Sequence, residues 1–300
     1  MPSLEALKQQ IESTQDLRSV VKTMKTLAAA SIRQYERAVE SLANYNRTIE
    51  MGLQVLLQEQ SMLNELPVSF NQRLGAIVFG TDQGLCGSFN EQIAKYAIEQ
   101  LNQVSERSSE RSIITMGSRV IPPLETAGLE IAQSFSMPTT LAGITAMVQV
   151  LLLQIEAWRS QQQIERVLLF YQQPHSNTAH APCTVNLLPI DRQWLENLRK
   201  QTWSTRVLPI FTMEWSHLFA ELIRHYLFVS LYRAFAESLA SENASRLISM
   251  QVAEQNIEER LEAFNAAFQQ QRQSIITEEI LEILSGFEVL TQSDSRTIFQ

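Results

Sequence analysis

Residues 3–56 read SLEALKQQ IESTQDLRSV VKTMKTLAAA SIRQYERAVE SLANYNRTIE MGLQVL, with no proline at all and no glycine before Gly52. Stepping by seven from Leu7 gives Leu7, Thr14, Val21, Ala28, Tyr35, Leu42, Ile49 and Leu56. The companion set is Leu4, Ile11, Arg18, Lys25, Ile32, Val39, Asn46 and Leu53. Residues so spaced share one helical stripe, so the stretch reads as a coiled-coil seam interrupted by Arg18, Lys25 and Asn46. Ser3, with Pro2 before it, is a suitable N-cap, although Ala6 and not Glu holds the capping-box position. Continued to about Asn64, the helix would be on the order of 90 Å long at about 1.5 Å per residue. The core of a 300-residue globule is not that wide. Such a helix must project or find its partner elsewhere in the chain.

The partner is at the other end. After Pro209 there is no proline, and no glycine until Gly286. Leu218, Leu222, Leu227, Leu231, Phe235, Leu239, Leu247, Met250, Ile257, Leu261, Phe264, Phe268, Ile275, Ile280 and Ile283 recur mostly at helical spacing, thinning between Ser241 and Arg246. Two long terminal helices with apolar stripes predict one antiparallel pair. Between them the pattern changes to short apolar runs suited to buried strands: Leu74–Gly80, Arg111–Gly117, Arg166–Tyr171 and Cys183–Pro189. Helical patterns separate them near Ser88–Gln103 and Thr139–Gln161, the alternation of an α/β domain with a largely parallel sheet. The predicted fold is α/β: a long antiparallel coiled coil of the N- and C-terminal helices, residues 1–66 and 209–300, with an inserted α/β, Rossmann-like domain at 67–208.

Composition narrows the function classes. The chain is 45% hydrophobic, enough for a real core, and its net charge of −8 and pI near 5.2 argue against wholesale nucleic-acid binding. The start is nonetheless locally basic, with Lys8, Arg18, Lys22, Lys25, Arg33, Arg37 and Arg47 outnumbering the acids between them. No charge-free apolar run reaches about 18 residues. Leu141–Ile155 is shorter and contains Gln149 and Gln154, so no transmembrane segment is expected. Met1–Gln15 lacks the pattern of a secretory signal, which suits a bacterial cytosolic chain or one already processed. Two cysteines, Cys86 and Cys183, neither staple a small fold nor make a zinc ligand set alone.

The segment Phe79-Gly-Thr-Asp-Gln-Gly-Leu-Cys-Gly-Ser-Phe-Asn90 sits between a strand and a helix, where a dinucleotide fingerprint would lie. Its glycines at 80, 84 and 87 do not follow G-x-G-x-x-G, and no Lys-Ser/Thr pair follows as in a P-loop. The better reading is a tight structural turn of Gly80, Asp82, Gly84 and Gly87, with Asp82 accepting from loop amides. Cys86 has no base nearby in sequence, His175 and His180 form no metal pattern, and Glu258-Glu259 and Glu278-Glu279 diverge on a helix. No catalytic constellation, cofactor site or metal site is predicted.

Four segments together resemble the gamma subunit of F-type ATP synthases. They are Lys22-Thr-Met-Lys-Thr-Leu-Ala-Ala29, Gly80-Thr-Asp-Gln-Gly-Leu-Cys-Gly87, Leu239-Ala-Ser-Glu-Asn-Ala-Ser-Arg-Leu-Ile-Ser-Met250 and Arg272-Gln-Ser-Ile-Ile-Thr-Glu-Glu-Ile-Leu-Glu-Ile283. Their order and spacing span the chain nearly end to end. The resemblance implies a central rotor shaft within a ring of three alpha and three beta subunits, with an epsilon subunit and a membrane c-ring as further partners. It implies a non-catalytic subunit, peripheral on the cytoplasmic face of a bacterial inner membrane. It also implies contacts with the alpha/beta ring at Met24, Lys25, Arg246, Arg272, Gln273, Thr277 and Glu279. An asymmetric shaft cannot touch three equivalent sites alike, so turning it would permute their conformational biases.

The sequence departs from the family pattern at Gln83, where Arg is usual, at Ser88, where Gly is common, and in a longer tail over 292–300. No added cysteine pair of the chloroplast kind is present, so thiol control of that type is not expected. Two other readings stay open at this stage: a coiled-coil scaffold with a non-catalytic α/β head, and a small-molecule enzyme using the glycine turn.

Overall fold

A strand covered on both faces must be apolar at every position, and Leu74–Phe79 is buried throughout. It is β1, the centre of the sheet. The computed structural model describes residues 3–59, 73–104, 111–175, 179–203 and 209–297, with side chains described as far as Ser285. Helix α1 runs Leu4–Glu59 and α6 runs Trp215–Thr297. Between them lie α2 (Phe89–Val104), β2 (Arg111–Met116), α3 (Ile121–Thr126), β3 (Ile131–Phe135), α4 (Leu141–Gln161), β4 (Arg166–His175), β5 (Ala179–Leu188) and α5 (Arg192–Lys200). The expected boundaries at 66/67 and 208/209 fall outside the described residues.

The sheet order is β3-β2-β1-β4-β5. The first four strands are parallel and β5 runs antiparallel to β4. Too few residues separate His175 from Ala179 for a parallel crossover, so the chain turns back as a hairpin. Edge position lets β5 tolerate Pro182. The opposite edge, β3, has an exposed Ala-Gln-Ser centre, which hid it from a search for apolar runs.

Alternation along β1 assigns its faces. Leu74, Ala76 and Val78 pack with α2 and α3 residues Ile93, Ala97, Leu101 and Leu124. Ile77 and Phe79 pack with Ile144, Val148, Leu151 and Trp158 of α4 and with Leu231, Phe235 and Leu239 of α6. By length and composition α4 could cross a membrane, with an 18-residue window of mean hydropathy 1.5. This differs from the expectation above, because isolated glutamines break a run without lowering the average enough. Ile144, Val148, Leu151, Ile155 and Trp158 nonetheless lie on one face of α4, against the sheet.

The chain divides into two compact units, Leu27–Ser249 and Met1–Thr26 with Met250–Gln300. In the larger unit α1 and α6 run antiparallel: Trp215 Nε1 donates to the Leu56 carbonyl at 3.0 Å, and Tyr45 Oη lies 3.0 Å from His225 Nδ1. Leu195 and Leu198 of α5 close a cluster with Ile49, Leu53, Leu57 and Val229. The smaller unit is an antiparallel helix pair. Val21, Met250, Ile257 and Leu261 form its seam, flanked by Ile11, Met24 and Ala253. Across it Arg18 pairs with Glu258 at 2.5 Å and Lys25 pairs with Glu254.

The heptad reading holds along α1. Leu7, Val21, Ala28, Tyr35, Ile49 and Leu56 are buried, and Thr14 and Leu42 are half-buried. The companion positions sit at the seam's margin, where only Leu53 is fully buried. The margin is wet enough for Arg18 and Lys25 to reach glutamates of α6.

Gly117 has φ +88°, and a Cβ there would lie 2.7 Å from the Thr81 carbonyl carbon. Backbone cannot yield as a side-chain tip does. Gly117→Ala is expected to lower stability by about 3 kcal/mol, read as a lower urea midpoint with unchanged slope.

Candidate functional site

The glycine turn joins β1 to α2 at the carboxyl end of the parallel strands, the usual ligand crevice of an open α/β sheet. Protein groups occupy it here. Asp82 accepts from the Ser118 amide at 2.8 Å and the Met137 amide at 2.7 Å, tying the ends of three strands with one carboxylate. This is the role expected of it. Asn90 accepts from the Thr81 amide at 3.0 Å and donates to Thr81 Oγ1 at 2.9 Å. A Cβ on Gly80 would lie 2.5 Å from Val120 Cβ, so only glycine fits there. Burial pushes the Cys86 thiol up, with Thr81 partly offsetting it, which disfavours the nucleophilic thiolate.

The outer side of the turn rests on α6. Ser241, Ser245 and Ser249 recur every four residues and so share one helical face. Ser241 Oγ donates to the Gln172 carbonyl at 3.0 Å, and Ser245 Oγ donates to the Cys86 carbonyl at 2.6 Å. A Cβ on Gly87 would meet Ser249 Oγ at 3.3 Å, and its φ of +58° independently favours glycine. Beside these serines Arg246 pairs with Glu242 at 2.5 Å and reaches the Gly84 carbonyl at 3.4 Å and Asn243 Oδ1 at 3.2 Å. The pair is buried, with Arg246 7% and Glu242 6% exposed. Burial raises the Glu242 carboxyl, while the Arg246 charge pulls it down.

The residues implied as ring contacts therefore separate into three groups. Arg272, Gln273, Thr277 and Glu279 are exposed on α6. Met24 is half-buried against the seam of the helix pair, and Lys25 is paired with Glu254. Arg246 faces into the chain, because the glycine turn covers the side of α6 that it occupies. Sequence reading missed Glu242, Asn90 and Gln172, whose amide donates to the Phe89 carbonyl at 2.8 Å. The serine repeat was the available signal, small residues at helical spacing where another backbone approaches.

Fold and site together define a class: two long terminal helices and a mixed α/β head whose strand-to-helix turn packs on the C-terminal helix. A family model described as ATP synthase matches residues 3–290, and the chain belongs to that family. Similar proteins include the ATP synthase gamma chain of Buchnera aphidicola subsp. Diuraphis noxia, 24% identical over 295 residues, covering 95% of this chain and 98% of the relative. The gamma chain of Pelotomaculum thermopropionicum is 27% identical over 288 residues, with the same coverage. Among solved structures, a chain of the Euglena gracilis mitochondrial ATP synthase in its third rotational state has TM-score 0.64 at 16% identity. That likeness covers 96% of this chain and 94% of the other, and it shows the fold.

Removing one partner of a buried pair leaves an uncompensated charge. Arg246→Ala is expected to destabilise the chain by about 3–5 kcal/mol at neutral pH. Glu242, already raised, would rise further, so the folded state would bind a proton that the unfolded state releases, and stability would fall as pH rises. The deficit in urea unfolding should therefore be smaller at pH 5 than at pH 8. Adding Glu242→Gln should remove that difference. In the helix pair, Lys25 holds the Glu254 carboxyl below the ordinary carboxylate range, chiefly through their hydrogen bond. Lys25→Met should move it back up in an NMR titration.

Proposed function

We propose that this chain, a gamma-type central-stalk subunit of an ATP synthase, transmits rotation between a membrane ion-translocating c-ring and a catalytic ring of three alpha and three beta subunits. It couples ion flow to ATP synthesis or hydrolysis. The chain itself is non-catalytic, an epsilon subunit accompanies it, and the assembly lies on the cytoplasmic face of a bacterial inner membrane. Residues 67–208 form the inserted domain of that rotor.

One observation carries the reading: the unequal lengths of the two terminal helices. Arg18–Glu258 and Lys25–Glu254 fix the antiparallel register of the smaller unit. Carried on residue for residue, that register puts Leu4, the first residue of α1, opposite Arg272–Ile275. From Ile276 onward α6 has no α1 residue opposite it, and Ile276, Ile280, Ile283 and Leu284 are 44–66% exposed. These positions follow helical spacing, so they form an apolar stripe that needs a cover from outside the pair. Gln273, Thr277 and Glu279 accompany it as polar contacts that can break and re-form at each step. Met24 and Lys25 belong to the contact set through the surface of the helix pair, whereas Arg246 contributes from within.

Through such contacts the shaft favours a different conformation at each catalytic site, by differential contact free energy. The open alternative, a scaffold with an α/β head, accounts for the helices but not for the full-length match to the family. Because Gln273 and Thr277 are exposed, Gln273→Ala and Thr277→Ala should shift folding stability by no more than about 0.5 kcal/mol. Each should nevertheless lower coupled turnover of the complex reconstituted with cognate alpha and beta subunits. Wild-type turnover in both would remove these positions from the contact set.

A further inference from the structure

We propose that Glu242, Ser245 and Arg246 are positioning residues that fix the α/β head at one rotational setting on α6 by gripping the glycine turn through its backbone. The position rests on the structure alone. Its consequence for coupling rests on the central-stalk reading.

A hydrophobic contact holds two surfaces together but resists sliding weakly, because burial is non-directional. The head meets α6 through such surfaces, with Phe79 against Phe235 at 4.8 Å between ring centroids. Directional contacts are needed to stop one turning on the other. Three side chains of α6 supply them, each donating to a different main-chain carbonyl of the head: Ser241 to Gln172, Ser245 to Cys86 and Arg246 to Gly84. Glu242 aims the guanidinium from one turn below on the same helix. Asn243 holds its other terminal nitrogen.

The gripped segment is itself stiff at both ends. Asp82 is tied to the Ser118 and Met137 amides, and Gly87 abuts Ser249. Leu85, between the two gripped carbonyls, is held at φ +63° although it is not glycine. That conformation costs on the order of 1–2 kcal/mol and persists where surrounding contacts over-determine it. The grip on Gly84 and Cys86 is such a set of contacts. Glu242 and Arg246 therefore do more than neutralise each other, since an ion pair placed only for stability would need no bond to Gly84.

The test is amide hydrogen exchange in the full-length chain, comparing residues 83–88 with Ala76–Phe79 of β1 as internal reference. Ser245→Ala removes one grip. Exchanging the charges, Glu242→Arg with Arg246→Glu, keeps opposite charges but places no donor where Arg246 reaches Gly84. Each change is expected to speed exchange at the turn at least tenfold while β1 changes less than twofold. Should the exchanged pair fail to fold, Glu242→Gln with Ser245→Ala takes its place. A protected turn in these variants, or a turn and β1 that loosen together, would overturn the proposal.

In the complex assembled with cognate subunits, Ser245→Ala should lower the ions moved per ATP hydrolysed at least twofold. A loosened turn with an unchanged ratio would overturn the link to coupling and leave the central-stalk reading standing. Failure of the wild-type chain to assemble would count against that reading and not against the grip.

Discussion

Every residue of α6 from Ala234 to Glu242 is buried, polar ones included. A helix on a protein surface buries one stripe; this segment is covered all round, and the rest of the larger unit follows from that constraint. Leu231, Phe235 and Leu239 meet the sheet and α4, which is why the Ile77–Phe79 face of β1 must be apolar. The polar side chains trapped with them need partners, because leaving a buried polar group unmet costs about 1–3 kcal/mol. Ser241 finds the Gln172 carbonyl of the head, and Glu237 and Glu242 pair with Arg233 and Arg246 of α6 itself. A strand-to-helix turn built of glycines comes close enough to offer Ser245 and Arg246 its carbonyls.

Two kinds of ion pair result, and their surroundings set their value. Arg18–Glu258 lies at the margin of the helix pair with both side chains about half exposed. In that setting an ion pair contributes about 0–1 kcal/mol and serves mainly to fix register. Glu242–Arg246 is shielded on both sides. Its net worth is small because desolvation offsets attraction, yet losing one member is severe. Register at the margin engages α1 and α6, whereas the grip in the interior belongs to α6 alone.

The sequence showed most of the architecture because its periodicities are strong. A seven-residue apolar repeat identifies α1, and continuous apolar runs identify β1, β2 and β4. The strand-to-helix turn pointed to Asp82 as an acceptor of loop amides, and the Ser118 and Met137 amides reach it. β3 was hidden because an edge strand need not be apolar at its centre. The reversed direction of β5 depended on a short connection that propensity does not encode. Arg246 was legible as special but its burial was not, since which side of a helix faces solvent depends on what another part of the chain lays against it. The partner of Lys25 was not legible either: Glu254 lies four residues beyond Met250, on a helix whose register with α1 the periodicity does not set. The exposed set Arg272, Gln273, Thr277 and Glu279 came from family resemblance, which physical pattern alone would not have supplied.

The central claim is that this chain is the single asymmetric shaft of a three-fold ring. The most direct measurement attaches a probe to the chain in a complex with cognate alpha and beta subunits and follows its orientation during ATP hydrolysis, with subunit copies counted in the same preparation. The account predicts one copy per three alpha–beta pairs and a probe that turns in one direction, pausing three times per revolution. A chain bound in three copies, or a probe that stays fixed relative to the ring while ATP is consumed, would contradict it.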